Sequence, residues 1–82
     1  MSSAMARSNE PQKVLGSALR QLREKRGLTQ EAVAHEARIT TGSLSLIERG
    51  QRNPSWGTVN RIAAALGSSM GEVGKLADKF RN

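Results

Sequence analysis

Hydrophobic positions recur along this chain at spacings of three and four, in short blocks set apart by capping residues and glycines, and each block predicts one helix. In the first block Val14, Leu15, Ala18, Leu19 and Leu22 share a face, with Lys13, Arg20 and Lys25 largely on the other. Asn9, Glu10 and Pro11 supply a cap, an acid and a proline for its first turn. It should run to about Arg26, where Gly27 gives a left-handed stop and Leu28 the apolar contact that accompanies one. Two short helices follow. One starts at Gln30 with Thr29 as its cap and buries Val33, Ala34 and Ala37; the other starts after the cap Thr40 and buries Leu44 and Ile47. Gly50 to Pro54 is a loop by composition. Ser55 then caps a fourth helix to about Leu66, burying Val59, Ile62, Ala63 and Leu66, and Gly67 closes it. Ser69-Met70-Gly71-Glu72 has the spacing of a capping box, so a fifth helix runs from Met70 to roughly Lys79. Residues 1 to 9 are small and polar with nothing to bury and read as a disordered tail, which leaves one domain over residues 10 to 82. The expected fold is all-α, a compact five-helix bundle with loops of two to five residues.

Composition narrows what such a bundle can do. At 82 residues the chain holds one core and no more. Thirteen Lys plus Arg against seven Asp plus Glu give a net charge of +6, which suits a polyanionic partner and would equally serve as solvated surface charge. Without cysteine there is no disulfide, thiolate zinc site or thiol nucleophile. No stretch approaches the roughly 18 apolar residues of a membrane span, so the expected location is the cytoplasm. His35 is the only histidine, Glu31 and Glu36 lack a second one at metal-ligand spacing, and no Ser-His-Asp set is apparent. No enzyme activity, metal, cofactor or small-molecule ligand is expected. His35 reads as an exposed helix residue, and Trp56 as a packing residue rather than a stacking platform, because only Phe80 accompanies it.

The second and third helices, separated only by Arg38 and Ile39, must cross sharply. That arrangement is a helix-turn-helix, whose second helix can be presented to the DNA major groove. With Leu44 and Ile47 inward, the wheel puts Gly42, Leu46 and Arg49 opposite them, flanked by Thr41, Ser43 and Ser45. The candidates for reading bases are therefore Thr41, Gly42, Ser45, Leu46 and Arg49. Arg49 can donate a bidentate pair to guanine or, near the helix end, complement the dipole or a phosphate. Thr41 and Ser45 donate or accept, and Leu46 can only meet a thymine methyl. Gln30 stands in the first turn of its helix, where backbone N–H groups also face an anion.

With Leu19-Arg20-Gln21-Leu22 through Gln30 before the motif and Glu48 through Ser55 after it, the chain resembles the phage-repressor (Cro-type, or XRE) helix-turn-helix family over roughly Leu15 to Leu76. Arg23, Leu28-Thr29-Gln30, Ala34, Ser45, Glu48, Gly50 and Arg52-Asn53-Pro54-Ser55 carry the likeness in order and at the family spacing. The resemblance implies a lambda-repressor-like five-helix domain that acts as a dimer on a palindromic operator. It also implies that Gln30, Ser43, Arg52 and Asn53 flank the reading helix on the phosphate backbone, and that Arg23 and Glu48 form a partly buried salt bridge holding the first helix to the reading helix. The chain departs from the pattern at Leu46, more often polar in relatives, at Gly42, which usually carries a side chain, and at Arg38, often glycine. A left-handed Arg38 would cost about 1–2 kcal/mol. The reading surface is poor in hydrogen-bonding groups, so specificity leans on Arg49, methyl contacts and DNA shape.

One motif reads about half a turn of groove, and two are needed about 34 Å apart, so a distant surface must be self-complementary. Met70, Val73, Leu76, Ala77 and Phe80 form an apolar stripe that the fourth helix covers only in part, unless all five complete the monomer's own core. The expected function is a sequence-specific double-stranded DNA-binding transcriptional regulator, a homodimer that occupies promoter DNA or touches RNA polymerase there. The alternative is an antitoxin that neutralises a toxin protein and autoregulates its operon.

Overall fold

The caps expected at Thr29, Thr40, Ser55 and Ser69 are made. The Thr29 hydroxyl accepts from the Ala32 N–H at 3.0 Å, Thr40 from Ser43 at 3.0 Å and Ser55 from Thr58 at 3.1 Å. At the last helix the box closes both ways, with Glu72 N–H donating to Ser69 at 3.0 Å and Ser69 N–H to the Glu72 carboxylate at 2.8 Å. In the computed structural model, which describes residues 10–81, these caps open α2 (Gln30–Ala37), α3 (Thr41–Glu48), α4 (Trp56–Ala65) and α5 (Met70–Phe80), preceded by α1 (Glu10–Lys25). The expectations of a disordered tail over residues 1 to 9 and of a cap at Asn9 lie outside the described residues. No strand occurs among those described. Helix α1 stops at Lys25 because Gly27 turns left-handed (φ 67°) and the Leu28 N–H returns to the Arg23 carbonyl at 3.1 Å.

The core is built from Leu19 of α1, Val33 of α2, Leu44 and Ile47 of α3, and Ile62 and Leu66 at α4, all fully enclosed. Helix α2 packs on α3 and α4, while α1 packs on α3 and α5. This corrects the expected surroundings of the last helix: α5 lies chiefly on α1, not on α4. Val73, at 2% exposure, belongs to the core of the single chain, and Met70 and Leu76 pack partly buried against that core. Val73 thereby adds little exposed area of its own to any free apolar stripe.

Two glycines let α1 approach the end of α3. A Cβ on the buried Gly16 would lie 2.6 Å from the carbonyl oxygen of Glu48 and closer still to that of Ile47. Gly50, with φ 73°, sits against the backbone of Lys13, whose Cα would be 2.8 Å from an added Cβ. Backbone therefore meets backbone here, and the orientation of α3 relative to α1 is set to within a methyl group.

The turn between α2 and α3 is made by Arg38 in the left-handed region, at φ 61° and ψ 42°. Arg38→Gly should remove a penalty of about 1–2 kcal/mol and add glycine's entropic cost of about 0.5–1 kcal/mol. The expected outcome is a net gain of up to about 1.5 kcal/mol, seen as a higher urea midpoint at unchanged slope.

Candidate nucleic-acid interface

Helix α3 is held by its last residue. Glu48, with a side chain 2% exposed, accepts from Arg23 Nε at 2.7 Å and Nη2 at 3.1 Å, a bidentate pair whose arginine is 12% exposed. Arg23 Nη1 also donates to the Leu28 carbonyl at 2.9 Å, and Gln30 Nε2 donates to Glu48 at 2.9 Å. One carboxylate thus ties α1, the loop before α2, the first residue of α2 and the end of α3 together. The hydrogen bond to Glu48 holds the Arg23 guanidinium above its ordinary arginine range, with burial acting the other way. Stability gained in this way is fully present below that ordinary range and is lost only as pH rises through the raised value.

With α3 fixed, its outer face is the free one. Thr41, Gly42 and Arg49 are exposed, and Ser43, Ser45 and Leu46 are half-buried. Gly42 faces open space, since an added Cβ would meet nothing within 4 Å. Arg49 is the C-terminal cap of α3, and its Nε lies 3.4 Å from the Ser45 carbonyl, a long bond along the helix. The face is a partly exposed apolar and hydroxyl surface ending in an exposed cation, able to sit against base edges and short of strong donors.

The four residues expected at phosphate fall into three situations. Gln30 gives one amide N–H to Glu48, as above, so it stands at the start of α2 already oriented. Arg52 and Ser43 are brought together, with Arg52 Nη1 donating to the Ser43 hydroxyl at 3.0 Å. Asn53 is exposed in the loop. A residue missed in the sequence supports the motif from behind: Arg61 of α4 donates from Nε to the Ala37 carbonyl at 2.9 Å, closing the end of α2 just before the turn. Nothing local marks it, because its partner lies 24 positions away.

Trp56 is the clearest correction. It was expected to pack inside, yet it is 72% exposed. It rims an apolar groove of about 350 Å³ lined by Leu15, Pro54, Val59, Met70, Val73, Gly74 and Ala77. Phe80, 41% exposed, stands apart from it beside Ser17, Arg20, Gln21 and Glu24 of α1. His35 is exposed on α2. Among the described residues no helix is long and apolar enough to cross a membrane.

Comparison with known proteins agrees with this geometry. A family model described as a helix-turn-helix domain matches residues 14–76. Over 61 residues the chain is 43% identical to the uncharacterized HTH-type transcriptional regulator y4dJ of Sinorhizobium fredii, spanning 74% of this chain and 79% of that protein. It is 34% identical over 59 residues to the immunity repressor protein of Bacillus phage phi105, of which it spans 41%. Among solved structures, the clp gene regulator ClgR of Corynebacterium glutamicum superposes with a TM-score of 0.85 at 32% identity, over 87% of this chain and 76% of that one. The restriction-modification controller protein C.AhdI of Aeromonas hydrophila does so with a TM-score of 0.72 at 34% identity, over 74% and 92%.

Proposed function

The chain belongs to the phage-repressor (XRE) type of helix-turn-helix family, a DNA-binding transcriptional regulator, and on that premise we propose that it reads a palindromic operator as a homodimer with α3 in the major groove. The observation that carries this is the outer face of α3. Thr41, Gly42 and Arg49 stand exposed on it with Ser45 and Leu46 half-buried between them, it is anchored at its far end by the buried Glu48, and Gln30 and the Ser43 and Arg52 pair lie beside it. Base contacts come from Thr41, Ser45, Leu46 and Arg49, with Gly42 allowing the helix to come close to the groove floor. Gln30, Arg52 and Asn53 position it on phosphate. Regulation follows from occupying a promoter or touching RNA polymerase there, in the cytoplasm where the DNA is. The protein is a binding module rather than an enzyme. The relatives described above are named as regulators, a repressor and a controller protein, which favours this reading over an antitoxin. Selection of bound sequences from a random DNA pool tests the reading. A palindrome with half-sites about one helical turn apart is expected, and a pool that never enriches would refute it.

For the second copy, the groove rimmed by Trp56 is the supporting feature. A large apolar side chain standing in water beside an apolar hollow gains about 25 cal/mol per Å² when both are covered. Met70, Ala77 and the rim residues contribute, Val73 supports them from the groove's floor, and Leu76 and Phe80 of the same stripe lie outside its lining. Trp56→Glu should leave the fold intact, because the residue is at the surface, and give a monomer by sedimentation that binds one half-site weakly. A folded Trp56→Glu protein that remains a dimer would move the interface elsewhere.

A further inference from the structure

Ser43 and Arg52 are each suited to touch phosphate alone, yet they bond each other across two elements. Ser43 lies in the first turn of α3, with its backbone N–H donated to the Thr40 cap at 3.0 Å. Its hydroxyl, on a half-buried residue, accepts from Arg52 Nη1 at 3.0 Å. Arg52 itself is exposed, on the loop that follows α3. An anion approaching from solvent therefore meets the guanidinium before the hydroxyl.

A loop arginine carries much rotamer entropy, most of which must be given up to hold one phosphate. A hydrogen bond to a residue fixed in a helix removes part of that cost before DNA arrives. The guanidinium has five N–H donors, and this bond uses one, so a two-pronged contact to phosphate remains available. We propose that Ser43 is a positioning residue: it holds the fork of Arg52 over the first turn of α3, and Arg52, not Ser43, makes the phosphate contact. This rests on the DNA-binding reading above.

The test is a double-mutant cycle on DNA affinity, using a mixed-sequence duplex at low salt, since a phosphate contact is independent of sequence. Ser43→Ala should weaken binding about threefold to tenfold, the size of one typical net hydrogen bond. Ser43→Thr, which keeps the hydroxyl, should restore it. Arg52→Ala should lower the salt slope by roughly one, and in that background Ser43→Ala should cost nothing further. Both sites lie outside the core and alanine is the better helix former, so the fold survives each change. A Ser43→Ala loss that persists undiminished beside Arg52→Ala would make Ser43 a direct contact and overturn the proposal, as would no loss in the wild-type background. A wild-type chain that binds no duplex at low salt would overturn the DNA reading and this inference together, whereas full binding by Arg52→Ala would overturn this inference alone.

Discussion

Glu48→Ala should lower the unfolding free energy by about 3–5 kcal/mol, the cost of breaking a buried pair by removing one partner. The magnitude follows from what is stranded. Arg23 keeps its charge at 12% exposure without its bidentate carboxylate partner, and the Gln30 amide loses its acceptor. Against a total stability of roughly 4–12 kcal/mol for a chain this short, that loss is about a quarter of the total or more. Replacing both partners by apolar residues, as in Arg23→Met with Glu48→Leu, should recover most of the loss, because no charge is then left buried. Urea unfolding measures all three proteins. A single mutant within about 0.5 kcal/mol of wild type would mean that the pair contributes nothing.

Gly50→Ala should be nearly as damaging. At φ 73° a side chain costs about 1–2 kcal/mol, and the new Cβ would lie 2.7 Å from Lys13 Cγ and 2.8 Å from its Cα. The Cγ can swing away, but the Cα belongs to α1 and cannot move without lifting that helix from the core. Overpacking of this kind adds about 1–3 kcal/mol, so a total of about 2–5 kcal/mol is expected from the urea midpoint. Gly27 offers the internal control: its φ is 67°, yet an added Cβ meets nothing within 4 Å. Gly27→Ala should show the backbone penalty alone, and equal losses at the two sites would mean that the approach of α1 has no energetic weight.

The five helices were legible because their signals are local. Thr29, Thr40, Ser55 and Ser69 each stand one residue before an amphipathic run, and each makes its cap bond. The partnership of Arg23 with Glu48 was accessible only through likeness to a family, since 25 residues separate them and neither has a neighbour that betrays the other. Val73 and Trp56 mark where periodicity stops being informative. Spacing put Val73 in a stripe of five, but only the docking of α5 on α1 decides which of the five are enclosed. Trp56 lies three before Val59 and shares its side of the helix by period, yet in the first turn of α4 nothing in the single chain covers it. Gly16 carried a readable signal that went unused: a glycine inside a helix costs about 0.5–1 kcal/mol, and its presence points to a close approach.

That α3 reads the operator is tested most directly by running the random-pool selection on the wild type, Arg49→Ala and Leu46→Ala in parallel. Each variant should fold, bind the wild-type consensus about tenfold or more weakly, and relax preference at one position in each half-site, as expected for a lost base contact of about 1–3 kcal/mol. Variants that both bind more weakly while returning the unchanged consensus would contradict the account, because the surface that reads sequence would then lie elsewhere on the chain.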